Sequence, residues 1–171
     1  MQPVPEEEFA QFFAKWEPQV RRFLIWLEGD HSVIDDAAQE TMLSAFRYWE
    51  TVCACENKRA WLFRVAPQRL SDAQEARRKH GMWTDPSEIP DQPNLRDPIA
   101  LREERLAILD AVRKLPTQQA TAIALQIQYD LPLSEIADIM KIDTGTVKSH
   151  LHHARTALRQ LLGEAEGGEC G

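Results

Sequence analysis

Leu131-Pro132-Leu133-Ser134-Glu135-Ile136-Ala137-Asp138-Ile139-Met140-Lys141-Ile142-Asp143-Thr144-Gly145-Thr146-Val147-Lys148-Ser149-His150-Leu151 decides how this chain is read. Two short apolar-periodic segments meet across a turn at Lys141-Ile142-Asp143. The first repeats at Leu133, Ile136, Ala137 and Met140. The second repeats at Val147, Leu151, Ala154, Leu158 and Leu161, the spacing of one buried helical face. Asp143 stands where an N-cap is wanted, so its carboxylate can accept a backbone N–H at the start of the second helix. Pro132 suits the first turn of the preceding helix, where a missing N–H costs nothing. The pattern is that of a helix-turn-helix, whose second helix lies in the major groove of DNA. The opposite face of that helix carries Thr146, Lys148, Ser149, His152, His153 and Arg155, donors and cations of the kind that reach base edges and phosphates. A plain helical hairpin with a polar outside shares the periodicity, so the segment alone leaves both readings open.

Working outward, Ile99 to Leu115 and Thr117 to Tyr129 supply two more helices, and the four together give a C-terminal domain over 99–162. Ahead of it, 84–98 contains Pro86, Pro90, Pro93 and Pro98 with four acidic residues and almost nothing apolar. That composition makes a flexible acidic linker. The N-terminal domain, 1–83, is also helical. Phe9, Phe13, Trp16, Val20, Phe23 and Leu27 predict one amphipathic helix over Glu6 to Glu28, which Gly29-Asp30-His31-Ser32 ends. Ile34, Ala38, Thr41, Ala45 and Trp49 mark a second, with Asp35 and Asp36 expected in its first turn, where they suit the helix dipole. Thr51 to Lys58 lacks periodicity and reads as a loop. Arg59 to about His80 is a third helical stretch, with Trp61, Leu62 and Val65 as candidate core; Pro67 is expected to kink or divide it. The tail, 163–171, is rich in Gly and Glu and expected to fray. Strand-type alternation is lacking, so the expected fold is all-α: two small helical domains joined by a flexible linker, the second containing the helix-turn-helix.

The net charge of −7 looks wrong for a nucleic-acid partner, since phosphate contacts need cations. Its distribution removes the objection. Residues 57–83 carry seven basic and two acidic residues, and residues 144–160 carry three basic and no acidic ones. Two modest basic faces in an acidic body should bind DNA weakly alone, with a larger complex supplying the remaining affinity. No apolar run approaches the roughly 20 residues of a membrane span, so no membrane insertion is expected. The first residues lack the basic start and apolar run of a signal peptide, and the expected residence is cytoplasmic. Cys53, Cys55 and Cys170 make an odd set, which suits a reducing compartment. No glycine-rich phosphate loop, nucleophile elbow or metal-ligand spacing is present, so neither catalytic residues, metal nor cofactor are expected. Cys53 and Cys55 are too few for a structural zinc site by themselves.

Four fragments then converge. Asp35-Asp36-Ala37-Ala38-Gln39-Glu40-Thr41, Arg59-Ala60-Trp61-Leu62-Phe63-Arg64-Val65-Ala66, Leu115-Pro116, and Gly145-Thr146-Val147-Lys148-Ser149 followed by Leu151, Ala154 and Arg155 stand in one register. Together they resemble the bacterial extracytoplasmic-function (ECF) sigma factors, over roughly Glu7 to Leu162. The resemblance implies a factor that directs core RNA polymerase to promoters and performs no chemistry itself. It implies that Asp36, Gln39, Glu40 and Leu43 dock on the clamp helices of the largest polymerase subunit, with the flap as a further contact. It implies that Arg59, Trp61, Arg64, Gln68, Asp72, Arg77, Arg78 and Lys79 serve the minus-ten element, where a base is read after leaving the stack. Thr146, Lys148, Ser149, His152, His153 and Arg155 would read the minus-thirty-five element as duplex. An anti-sigma factor is the further partner the family implies.

The chain departs from the family pattern at three places. Pro67-Gln68 stands where Arg-Asn is usual, Lys141 replaces the turn glycine, and His150 and His153 stand where arginines are common. The last change makes the recognition helix less basic, and contact with the upstream element weaker or pH-sensitive, because an imidazole gains its charge at about pH 6 to 7. A response-regulator-type helix-turn-helix activator shares Thr-Val-Lys-x-His-Leu, but its N-terminal half would alternate strands and helices.

Overall fold

The computed structural model describes residues 4–80 and 99–167, with side chains placed over 4–80 and 103–163. The described residues form eight helices and no strand. The chain divides into two compact units, Met1–Thr84 and Asp85–Gly171. The acidic linker expected over 84–98 lies outside the described residues.

In the first unit α1 spans Glu6–Ile25, α2 His31–Arg47, α3 Trp49–Ala54 and α4 Lys58–His80. α2 is the central element, packed against α4, α1 and α3. Its inner face is Val33, Ile34, Ala37, Ala38, Met42 and Ala45, three of them alanines with no exposed surface. Small side chains on one helix let the neighbouring backbones approach, and the larger residues opposite fill the space. α1 contributes Phe12, Val20, Phe23 and Leu24; α4 contributes Leu62, Phe63, Ala66 and Leu70. Phe23 and Phe63 stack at 4.8 Å between ring centroids. Burying each such side chain stabilises the unit by about 1.5–3 kcal/mol.

Several expectations are corrected here. α1 ends at Ile25, three residues short of Glu28. Of the adjacent pair Phe12 and Phe13, Phe12 is buried and Phe13 is 41% exposed. Adjacent aromatics both fit the apolar spacing, and only packing distinguishes them. α2 begins at His31, earlier than its periodicity suggested, so Asp35 and Asp36 fall outside its first turn. The cap is Asp30, whose carboxylate accepts from the Ser32 backbone N–H at 3.0 Å and from its hydroxyl at 2.8 Å. Asp35 instead pairs with Arg21 of α1, which also meets Glu17. Burial opposes the Arg21 charge, but hydrogen bonds and charge from Asp35 and Glu17 outweigh it and hold its pKa above the ordinary guanidinium value. The stretch read as a loop, 51–58, holds the last four residues of α3, a short helix anchored by the buried Val52, and the first residue of α4. Pro67 does not divide α4, which continues through it, as α1 continues through Pro18. Trp61 and Val65 are half-buried, and Phe63 takes the core position beside Leu62.

In the second unit α5 spans Ile99–Arg113, α6 Thr117–Tyr129, α7 Leu133–Met140 and α8 Thr144–Gly167. α8 is the hub, touching α5, α6 and α7. Val147, Leu151, Ala154 and Leu158 are its buried stripe, at the spacing the sequence predicts, whereas Leu161, expected to extend it, is half-buried. They meet Val112 from α5, Ile123 and Leu125 from α6, and Ile136 and Ile139 from α7, all buried. α8 continues past Gly163 to Gly167, so the tail expected to fray from 163 begins as helix. Among the described residues, no helix is long and apolar enough to cross a membrane.

Candidate nucleic-acid interface

The helix-turn-helix forms as its residues dictate. α7 ends at Met140, and Lys141 adopts φ 55° and ψ 46°, the left-handed conformation a glycine normally supplies. The Ile142 N–H then reaches back to the Ala137 carbonyl at 3.1 Å, closing the helix end. Asp143 starts α8 by accepting the Thr146 backbone N–H at 2.6 Å. Donation from the Thr146 backbone, then from its side chain, holds the Asp143 carboxyl below its ordinary pKa. The turn thus fixes the angle at which α8 leaves α7.

On α8 the polar residues fall on the side opposite the buried stripe. Lys148, Ser149, His152, His153 and Arg155 are exposed, and Thr146 is half-buried. The rings of His152 and His153 lie 5.8 Å apart between centroids. At 100° per residue, Ser149, His152 and His153 lie about the centre of the outward face, with Lys148 at its edge. Arg155 stands nearer the buried stripe, at the edge facing α6, where its guanidinium donates to Gln126 Oε1. No sequence pattern points to that contact, because residues 29 apart carry no shared period.

α4 carries the other basic block. Trp61, Arg64, Gln68, Asp72 and Lys79 fall on one side at helical spacing, with Trp61 and Arg64 half-buried and the rest exposed. Asp72 pairs with Arg69 at 3.3 Å and Lys79 with Glu75 at 3.4 Å. These contacts are exposed and worth little, so they leave the groups available. Arg78 is exposed on the flank. Arg59 and Arg77, five turns apart, lie instead on the side of Phe63, Ala66 and Leu70. Arg77 donates to the Ser32 hydroxyl at the start of α2, and Gln74 donates to Glu28 Oε2 at 2.7 Å. The Asn57 side chain opens α4 by accepting the Ala60 N–H at 3.0 Å.

On α2, Asp36, Gln39, Glu40 and Leu43 are all exposed and occupy successive turns of a single outward strip. Leu43 is 46% exposed and Phe46, one turn on, 43% exposed. Phe46 meets Phe9 edge-on at 5.1 Å. The strip therefore passes from acidic to apolar along the helix. Among the described residues, no group of three or more His, Cys, Asp or Glu is placed to hold a metal ion. Cys53 is exposed and Cys55 half-buried, both free thiols.

A helical unit carrying an acidic strip and a basic helix, and a second built around a helix-turn-helix, define a sigma-type arrangement, and the comparisons agree with it. Residues 12–80 match sigma-70 region 2 and residues 105–158 match sigma-70 region 4. The chain is 34% identical over 146 residues to the ECF RNA polymerase sigma factor SigL of Mycobacterium tuberculosis, covering 84% of this chain and 82% of that one. It is 30% identical over 161 residues to SigM of the same species, covering 91% and 77%. SigW of Bacillus subtilis is 25% identical over 169 residues, covering 92% and 90%. Among solved structures, the sigma factor RpoE of Bartonella quintana, crystallised with the anti-sigma factor NepR, is similar with TM-score 0.70 and 24% identity, covering 91% of this chain and 97% of that one. CnrH, solved with the cytosolic domain of CnrY, gives TM-score 0.68 at 20% identity, covering 94% and 90%.

The chain belongs to the ECF RNA polymerase sigma factors, the DNA-binding initiation factors that direct core polymerase to promoters. The region 2 match over 12–80 sets aside the response-regulator-type activator, whose N-terminal half would be a different domain.

Proposed function

We propose that the three exposed faces divide the work of promoter recognition among them. The α2 strip of Asp36, Gln39, Glu40 and Leu43 docks on the clamp helices of the largest polymerase subunit, offering carboxylates to a basic surface and Leu43 to an apolar one. Trp61, Arg64, Gln68, Asp72, Arg78 and Lys79 on α4 receive the minus-ten strand. An indole stacks on an extruded base, amides and carboxylates meet its pairing edge, and cations hold phosphates. Arg77 and Arg59 support that surface from its inner side. Thr146, Lys148, Ser149, His152 and His153 on α8 enter the major groove of the minus-thirty-five duplex.

The protein performs no catalysis itself and acts in the cytoplasm, where polymerase supplies the chemistry. An anti-sigma factor controls it, by analogy with the similar RpoE, which was crystallised with the anti-sigma factor NepR. The observation that carries the division of labour is the outward placement of each residue set on a separate helix, with each helix's buried stripe intact beneath it.

Run-off transcription with purified core enzyme and this protein on a genomic promoter pool tests it. Discrete start sites sharing two upstream elements are expected, lost when Gln39 and Glu40 are both changed to alanine. Transcription that persists in that variant would overturn the docking assignment.

A further inference from the structure

Arg155 is held by another helix. Its guanidinium donates to Gln126 Oε1 on α6, at the rim of a groove of about 440 Å³ between the two helices. The groove is otherwise lined by Ile123, Ile127, Leu158, Leu162, Arg159 and Gly163. Of these residues Gln126 alone carries a side-chain acceptor, so nothing else in the groove can fix the arginine. The acceptor is also neutral. A carboxylate at this position would cancel the guanidinium charge, whereas an amide oxygen directs it and leaves it whole. An arginine has five N–H donors in a planar fork, so one accepted bond leaves several to point elsewhere.

Lys148, Arg155 and Arg159 lie along one edge of α8, seven and four residues apart. At about 1.5 Å per residue, that spaces the cations by roughly 10 and 6 Å along the axis. A line of cations flanking a helix that lies in a groove is placed for the phosphates of one strand, not for base edges.

We propose that Gln126 is a positioning residue for promoter contact: from α6 it aims the Arg155 guanidinium along the cationic edge of α8 so that its remaining donors meet a backbone phosphate. This rests on the reading of α8 as the duplex-binding helix. Gln126 touches no DNA; it acts through Arg155, removing the rotamer freedom a long exposed side chain would otherwise lose on binding.

The experiment measures binding of reconstituted holoenzyme to promoter duplex across a salt series. Gln126→Leu should weaken binding about five-fold, the scale of one lost hydrogen bond. It should also flatten the slope of log K against log salt by up to about 0.9, the contribution of one phosphate contact. The loss should be the same for promoters differing in the upstream element, since a phosphate contact carries no sequence. Arg155→Ala should match it, and the double variant should lose no more. Gln126→Glu, which keeps the acceptor and cancels the charge, should also weaken binding and flatten the slope. If Gln126→Leu weakens binding with the slope unchanged, its role is structural and the proposal is overturned. If Arg155→Ala flattens the slope while both Gln126 variants bind as wild type, the proposal fails and the reading of α8 stands. If Lys148→Ala and Arg155→Ala both leave the slope intact, that reading itself fails.

Discussion

Replacing Lys141 with glycine should stabilise the helix-turn-helix. Lys141 holds φ 55° between α7 and α8, a conformation that costs an L-residue roughly 1–2 kcal/mol. Glycine adopts it freely but loses more chain entropy on folding, about 0.5–1 kcal/mol. The difference leaves a net gain of about 0.5–1 kcal/mol. Asp130, at φ 48°, supplies an internal comparison, because a short polar side chain tolerates this region better; Asp130→Gly should gain less. The five tryptophans, at positions 16, 26, 49, 61 and 83, all belong to the first unit, so ordinary fluorescence would miss the change. Hydrogen exchange of peptides covering α7 and α8 reads it directly, and the gain corresponds to about two- to five-fold slower exchange. Lys141→Val should do the reverse, because a β-branched side chain suits this region least. Exchange in Lys141→Gly as fast as in the parent, or faster, would refute the assignment of strain to this turn.

Three further outcomes follow from the same geometry. The Asp143 carboxyl is held below its ordinary pKa of 3.8 by its bonds to Thr146. Its contribution to folding is therefore complete above that value and is lost as pH falls through the folded one; an acid titration of helicity should be shallower in Asp143→Asn. Glu40→Lys, at an exposed position of α2, should leave folding intact yet weaken core-polymerase binding by about ten-fold or more, because it sets like charges face to face. Competition against the parent protein for limiting core enzyme measures this, and undiminished competition would count against docking through the strip. His153→Arg, which puts a permanent cation at an exposed position of α8, should tighten promoter binding by the holoenzyme and steepen its salt dependence. Binding and salt slope unchanged in that variant would remove position 153 from the surface that faces DNA.

The helix-turn-helix was the most legible part of the sequence because every level agreed there. Apolar period, Asp143 cap and turn length all pointed to one structure, and even the left-handed Lys141 stood where a glycine was wanted. Less was legible where two residues satisfied the same pattern. Phe12 and Phe13 both fit an apolar stripe, and the choice between them is made by Trp49, which Phe12 meets edge-on at 5.1 Å. α3 was missed because six residues with one buried side chain are too short to show a period. The acidic start of α2 was placed one turn late because Asp30, Asp35 and Asp36 can all serve a helix N-terminus. Only tertiary partners separate them: Ser32 bonds to Asp30, while Arg21 claims Asp35. The candidate site divides likewise. Positions on one helix face followed from spacing, but the inward turn of Arg77 and the capture of Arg155 by Gln126 are contacts between distant residues, for which local sequence holds no record.

The distribution of burial along α4 has a mechanical consequence. Every buried residue of that helix falls at or before Leu70, so the ten residues from Ser71 to His80 project as a cantilever about 15 Å long. The contacts that tie it to the body are polar, among them Gln74 to Glu28 and Arg77 to Ser32. Each is worth on the order of 1 kcal/mol, far less than opening a packed core. The arm that carries Asp72, Arg78 and Lys79 is therefore compliant by construction. A nucleic-acid strand offering two or three comparable contacts can steer it, while the Phe23–Phe63 stack behind it stays shut.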